Sequence, residues 1–241
     1  MDMKETAYSP VVQVHQSVAP GAIESTCEFC LELDGAPDTR FHSIYGAKHD
    51  RIVARRNRIV AMPTLGQLFV GSLLILPDFH CETVAQLRPD ERQDLLDLVN
   101  LMKERVRSFG FPLTVEHGAR QGSGSGCGIY HAHFHLIPLP EHLHFGELLA
   151  DAAKPVSSLD EALDAAADLP AYIVCQDTWG SVALADPFSS SPNLFASQYV
   201  RKRLAARFGL CEEWDWRSYH EPEAKLLETL SIFGANNVPL S

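Results

Sequence analysis

The sequence predicts an α+β protein: an antiparallel sheet of about five strands, one long helix packed on it, and a C-terminal α+β extension. Three observations carry this. Short aliphatic runs recur between turn residues, residues 89–109 hold apolar side chains at a helical period, and residues 129–139 alternate strictly. At 241 residues, 46% hydrophobic and 21% charged, the chain has the make-up of a globular protein with one sizeable domain.

In order along the chain, residues 1–26 carry Pro, Ser, Gln and Val without sustained periodicity and read as an N-terminal arm. They contain no apolar signal core, and the longest apolar run, residues 68–76, is under half the ~20 residues a membrane span needs. The expectation is a cytoplasmic protein with no membrane partner. Residues 27–140 read as the catalytic domain and 141–241 as the extension. Ile52, Val53 and Ala54, then Ile59, Val60 and Ala61, flank Arg56-Asn57 as two short strands around a turn. Residues 68–76 read as a third strand stopped by Pro77. Leu95, Leu98, Val99, Met102 and Val106 mark the apolar stripe of the helix, which Gly110 ends. A strand at 111–116, a glycine-rich loop at 118–128 and the alternating strand at 129–139 complete the sheet. In the extension, Ser158 and Glu161 have the spacing of a capping box, and residues 172–176 and 182–185 form a hairpin around Trp179-Gly180. Helices run from Pro192 to about Phe208 and from Pro222 to about Phe233.

Twenty Lys and Arg against 31 Asp and Glu give a net charge of −11, which repels DNA and RNA. The six cysteines, Cys27, Cys30, Cys81, Cys127, Cys175 and Cys211, need no disulfide framework in a chain of this length without a secretory signal. Metal ligation or burial suits them better.

The most informative stretch is Tyr130-His131-Ala132-His133-Phe134-His135-Leu136-Ile137. On a strand, His131, His133 and His135 project from one face and Ala132, Phe134 and Leu136 from the other, which sets three imidazoles in a row at spacings of ~7 Å. A catalytic metal held by this row would call for a carboxylate just beyond it, but positions 137–140 are Ile, Pro, Leu and Pro. Nucleophilic catalysis by imidazole, largely neutral near pH 7, fits instead.

The run His-Ala-His-Phe-His-Leu-Ile resembles the signature of the histidine triad (HIT) superfamily of nucleotide hydrolases and transferases, and Pro77-Asp78-Phe79-His80 resembles its Pro-x-x-His segment, with Gly71 where members carry a glycine. The resemblance spans roughly residues 27–140. It implies a HIT-like sheet, His133 as a nucleophile that forms a covalent nucleotidyl-histidine, His135 as a phosphate contact assisting the leaving group, and His131 as the positioning member. It further implies a nucleotide or nucleotide-conjugate substrate of the phosphoramidate or dinucleoside polyphosphate type, release of a nucleoside monophosphate, and homodimerisation as an arrangement common in the family. A histidine in the third position resembles the hydrolase branches. A nucleotidyltransferase or phosphorylase, and a non-catalytic nucleotide- or RNA-binding module, stand as the alternatives.

Two departures stand out. Gly126, Cys127 and Gly128 occupy the place of the usual Gly-Gln-Ser or Gly-Gln-Thr, so Ser123 and Ser125, with Gly126 and its neighbouring amides, are the candidate substitute anion nest. Glu116-His117-Gly118 stands where many members have an asparagine. Cys27-Glu28-Phe29-Cys30 has the spacing of half a tetrahedral zinc site; the resemblance to zinc-containing members implies His80 and His131 as the other two ligands of a structural zinc. His142 and His144 read as surface or rim residues, and Arg55, Arg56 and Arg58 as a hairpin tip. Gln198, Arg201, Lys202, Arg203 and Arg207 concentrate polar and positive groups ahead of Trp214-Asp215-Trp216-Arg217. Either this is a solvated face with packing tryptophans, or it is a cap bringing Gln198 and Arg201, or Arg217, to the substrate phosphate.

Overall fold

The computed structural model describes residues 27–45, 51–123, 129–188, 190, 192–218 and 223–234. The expected arm at 1–26 lies outside the described residues, as do Ser125 and Gly126. Two short helices, α1 (Glu28–Leu33) and α2 (Arg40–Tyr45), precede the strands β1 (Ala54–Arg56), β2 (Ile59–Pro63) and β3 (Leu73–Pro77). A 3-10 turn at Val84–Gln86 leads into α3 (Pro89–Val106), then β4 (Phe111–Ala119) and β5 (Phe134–Leu139). The remainder comprises α4 (Phe145–Leu149), β6 (Lys154–Val156), α5 (Leu159–Ala166), β7 (Ala171–Gln176), β8 (Val182–Ala185), a 3-10 turn (Pro192–Phe195), α6 (Tyr199–Arg207) and α7 (Glu223–Gly234).

All strands join one antiparallel sheet in the order β1-β2-β3-β5-β4-β7-β8-β6. The five expected strands are contiguous, but among the described residues the sheet has eight. The extension does not merely pack on it: β7 pairs with β4 over six residues, from Thr114 opposite Gln176 to Ala119 opposite Ala171. That pairing satisfies the outer backbone edge of β4 and carries the strand to Ala119, past the expected end at 116 and into the start of the expected loop.

Both sheet faces are covered. On one, α3 contributes Leu95, Leu98, Val99, Met102 and Val106, and α5 contributes Leu159, Ala162, Leu163 and Ala166, against Ile59, Ile75, Phe134, Leu136 and Val174. On the other, α4 and α6 pack Leu148, Leu149, Val200 and Leu204 over Leu113, Val115, Ile137 and Ile173, while α1 sets Phe29 and Cys30 against Val60, Met62 and Leu74. Burial on both faces explains why β2, β3 and β8 read as continuous apolar runs. Pro89 opens α3, where its missing N–H costs nothing, and the Glu91 carboxylate accepts from the Arg88 amide at 3.1 Å. Ser158 caps α5 through the Glu161 amide, but the Glu161 carboxylate turns back to the Ser157 amide, so the expected box is shared between two serines. Among the described residues, no helix is long and apolar enough to cross a membrane.

Three expected boundaries shift for local reasons. The third strand starts at Leu73 because Gly71 sits at φ +87°, a left-handed turn that breaks an extended run. The histidine strand starts at Phe134 because the Ala132 amide donates to the Cys81 carbonyl at 2.6 Å, drawing the chain toward the His80 segment. The helix expected from Pro192 is split, since Gln198 takes φ +59° and α6 begins at Tyr199.

Candidate active site and metal centre

Side-chain alternation survives the shorter strand. Ala132, Phe134 and Leu136 enter the core beneath α3, and the three histidines lie on the opposite face. His131 is buried among Cys27, Cys30 and His80, and the donor atoms of these four residues all lie within 4.8 Å of one another. Cys27 Sγ is 3.3 Å and Cys30 Sγ 3.6 Å from His131 Nδ1, and Cys30 Sγ is 3.6 Å from His80 Nδ1. A tetrahedral zinc, with bonds of ~2.3 Å to sulfur and ~2.0 Å to nitrogen, spaces such donors ~3.5 Å apart. The donor set therefore fits the ion.

The surroundings fit too. Both thiols sit on the first turn of α1, where exposed amides favour anions. Hydrogen bonding from Cys30, then from His131, pushes the Cys27 thiol down to about 3 against the effect of burial. His131 Nε2 lies 3.0 Å from the Pro77 carbonyl, which can only accept, so Nε2 carries a proton and Nδ1, which faces the thiols, is the nitrogen that would ligate a metal.

His133 has the opposite tautomer. Its Nδ1 donates to the His131 carbonyl at 2.6 Å, leaving Nε2 as the basic nitrogen. Burial, opposed by that hydrogen bond, lowers its pKa to about 4, so the imidazole is neutral at pH 7. The His135 ring stands edge-on to it, centroids 4.9 Å apart, and burial with His133 and Arg201 nearby holds His135 well below the ordinary imidazole range. Both rings line a solvent-open cleft whose walls include Phe29, Leu68, His117, Gln198, Arg201 and Trp216.

Of the extension's candidate residues, Gln198 and Arg201 both line the cleft wall. Arg201 donates from Nε to the Trp214 carbonyl at 2.8 Å, and from Nη2 to Gly66 at 2.7 Å and Glu213 at 3.0 Å, which leaves Nη1 without a protein partner among the described residues. Burial lowers its pKa to about 10, so it remains cationic. The Gln198 amide is engaged at both ends, with the Asp215 carboxylate and the Trp216 amide, and so holds the Trp216 loop in place. Gly66 admits that loop: a side chain there would meet the Trp216 Cβ at 2.7 Å. Arg217 is exposed and stacks on Trp216. Ser123 donates its amide to the Arg120 carbonyl and is not among the cleft-lining residues; its expected nest partners Ser125 and Gly126 lie outside the described residues. His142 and His144 are exposed, as expected of surface residues.

Sequence reasoning did not single out Arg40, Arg51 or Glu32, which line the same cleft. Arg51 and Glu32 form a buried bidentate pair at 2.6 and 2.7 Å, and Arg51 also donates to the Pro63 carbonyl, tying α1 to the end of β2. His117 was noted only as a departure; on an alternating β4 it shares its face with Val115, and that period is the signal that would have placed it in the cleft.

An open cleft over a sheet, walled by a buried neutral histidine pair and an arginine beside a Cys2His2 cluster, defines a site suited to anionic substrates and nucleophilic catalysis by imidazole. Residues 47–142 match the HIT domain model, which supports a HIT-superfamily fold for the stretch from β1 through β5. Among solved structures, the chain is similar to a HIT family protein from Bacillus anthracis, at 20% identity over 47% of this chain and 72% of that one, TM-score 0.37. It is also similar to a hypothetical histidine triad nucleotide-binding protein from Sulfolobus tokodaii, at 23% identity over 48% and 70%, TM-score 0.34. A third similar structure is a hypothetical protein from Leishmania major, at 22% identity over 58% and 92%, TM-score 0.39. No curated protein matches the chain.

Proposed function

We propose that the protein is a nucleotide hydrolase of the HIT type, with residues 27–140 as its catalytic unit and 141–241 as an extension that walls the cleft. The match to the HIT domain supports a nucleotide-handling enzyme of this type in general. The observation that carries the finer reading is the His133 tautomer: a neutral imidazole whose Nδ1–H is anchored on a backbone carbonyl presents the Nε2 lone pair for attack. In the first step a bond forms between Nε2 and the α-phosphorus of a nucleoside 5′-phosphoramidate or phosphoanhydride. The bond to the leaving group breaks, and that group departs with a proton taken from water in the open cleft, while the neutral His135 stays beside the phosphoryl group. Water then attacks the same phosphorus and gives up a proton to the solvent in the cleft, the phosphorus–nitrogen bond returns its electrons to His133, and a nucleoside monophosphate leaves. Arg201, through Nη1, offsets the phosphoryl charge, and Gln198 holds the loop that shapes the wall.

A zinc held by Cys27, Cys30, His80 and His131 would be structural, because four protein ligands leave no open position. When bound it joins α1 to the segment entering β5, and hence to the His131 carbonyl on which His133 is anchored. The function is tested by incubating the protein with adenosine 5′-phosphoramidate and with diadenosine polyphosphates, and following AMP release. Release of AMP with a transient nucleotidyl adduct on the protein is expected; phosphate-dependent release of a nucleoside diphosphate would make it a phosphorylase instead.

A further inference from the structure

The sheet contains the same arrangement twice. From β3 onward its order is β3-β5-β4 and then β7-β8-β6, two matching triplets that meet at the β4–β7 joint. In each triplet a strand, a helix and two further strands follow in chain order: β3, α3, β4 and β5, then β6, α5, β7 and β8. In each, the last strand inserts between the other two and runs antiparallel to both. α3 lies on β3, β4 and β5, and α5 lies on β6, β7 and β8, both on the same face of the sheet. β4 and β7 meet antiparallel, the relation that a twofold axis normal to the sheet imposes on two equivalent strands.

The second unit keeps the frame without the chemistry. On the face where β5 carries His135, with His133 just ahead of the strand, β8 carries Ala183 and Ala185, both fully buried. The long 120–133 link that brings in the other histidines is replaced by the short turn 177–181. Over those alanines α4 and α6 pack Leu148, Leu149, Val200 and Leu204, so the place equivalent to the cleft is filled with apolar side chains. α6 also carries Arg201, so the helix that fills one unit walls the cleft of the other.

The joint is fitted to its own chain. Gly118 stands opposite Tyr172, and a side chain on Gly118 would meet Tyr172 Cζ at 2.5 Å. The Tyr172 hydroxyl reaches across the joint, donating to Glu116 at 2.7 Å and accepting from the Ala85 amide at 3.0 Å. Among the described residues, the outermost strands offer little to a second chain: β1 is Ala-Arg-Arg and β6 is Lys-Pro-Val. Short edges that carry charge or proline resist pairing, and the longer edge of β4 is already taken by β7.

We infer that residues 154–185 are a reduced second copy of the unit at 73–139, docked on the β4 edge in the position of a second subunit. The protein therefore acts as a monomer with one site, and its own C-terminal half supplies the far wall of that site. The inference takes the His133 cleft as a nucleotide site from the reading above, and it adds the reason for the extension: the partner of the catalytic unit is built into the chain.

The test uses the full chain. Sedimentation equilibrium from ~1 to ~100 µM, with and without AMP, should return the mass of one chain throughout, and a dimer at any of these concentrations overturns the inference. Calorimetry should give one AMP per chain; a second AMP bound with comparable affinity would show a working site in the second unit and also overturns it. In hydrogen exchange, peptides from 111–119 and 171–176 should open together, as one cooperative sheet. Exchange of 154–185 at least ~10²-fold faster than that of 111–119 would make the extension a loose appendage and overturn the inference. Mixing His133→Ala with Arg201→Ala chains should give only the summed activity of the two. Activity more than about threefold above the sum would mean that the wall is exchanged between chains, against the inference. Wild type that sediments as one chain and binds one AMP, yet releases none from any substrate, overturns the hydrolase reading alone.

Discussion

His133 Nδ1 lies 2.6 Å from the backbone carbonyl oxygen of His131, so the proposed nucleophile is oriented by the main chain of a metal-cluster residue. The two imidazoles use opposite nitrogens. His131 is anchored by Nε2 on Pro77 and turns Nδ1 to the thiols, whereas His133 is anchored by Nδ1 and turns Nε2 to the cleft. Two residues apart in sequence, they turn one short segment both to the cysteine cluster and to the cleft.

Purified without added metal, the protein should carry about one zinc per chain, because the donor spacing suits a closed tetrahedral site. Cys27→Ser with Cys30→Ser should reduce zinc below ~0.3 equivalent and lower the melting temperature by on the order of 10 °C, since the bound ion stabilises only the folded chain. Metal analysis alongside melting curves checks both. Full zinc occupancy in the double variant would place the ion elsewhere.

His133→Ala should lower hydrolysis of an activated nucleotide by at least ~10³-fold while AMP affinity stays within about tenfold, because the substitution removes the covalent step and little ground-state binding. Intact-mass measurement during turnover should show a nucleotidyl adduct on wild type and none on the variant. A variant that keeps more than about a tenth of the activity would reassign the nucleophile.

The triad was legible because its information is local: a period of two separates imidazoles from core residues whatever the strand pairs with. The Cys27–Cys30 pair was legible as half a site, while His80 and His131 came from resemblance, as separations of 50 and 101 positions from Cys30 carry no spacing rule. The β4–β7 pairing was hidden because Thr114–Ala119 and Ala171–Gln176 lie far apart in sequence, and either run is consistent with several partners. The break before α6 was hidden as well, since nothing about Gln198 in sequence announces a left-handed residue. His117 sat between a strand and a glycine-rich loop, and without the true end of β4 its face was undefined.

The commitments of Arg201 were likewise invisible, and they change what its removal should do. A residue on a solvated face could be truncated without effect on stability, but three carbonyls depend on this guanidinium. Arg201→Ala should therefore weaken nucleoside monophosphate binding by ~1.5–3 kcal/mol and also lower the melting temperature by ~5 °C. Lys225→Ala supplies the control. Lys225 ties the same region from outside the cleft, donating to the Leu68 carbonyl at 3.0 Å and the Glu213 carboxylate at 2.8 Å. Its removal should lower the melting temperature while leaving affinity within about threefold. Equal effects of the two variants on affinity would mean that Arg201 acts only by holding the loop.

The last prediction concerns Glu116, the neighbour of His117 on the opposite face of β4. Its carboxyl is buried beneath the 3-10 turn, accepting from the Val84 amide and the Tyr172 hydroxyl, each at 2.7 Å; Tyr172 in turn accepts from the Ala85 amide. Burial pushes its pKa up to about 8, and the two hydrogen bonds only partly oppose this. An unfolded glutamate titrates at ~4.3, so between that value and about 8 the folded state binds more protons than the unfolded one. The stability contributed by the protonated carboxyl is complete below the unfolded pKa and is lost as pH rises through the folded one. Denaturant unfolding of the zinc-loaded protein from pH 5 to pH 9 should show stability declining until the pH passes about 8 and levelling off above it. Glu116→Gln, which keeps an acceptor for Val84 and cannot ionise, should flatten the decline and be more stable than wild type at the alkaline end. A variant whose stability falls with pH as steeply as wild type would assign the titration to another group. A variant that is less stable throughout would show that the carboxylate itself, held by its two donors, is the form the fold prefers.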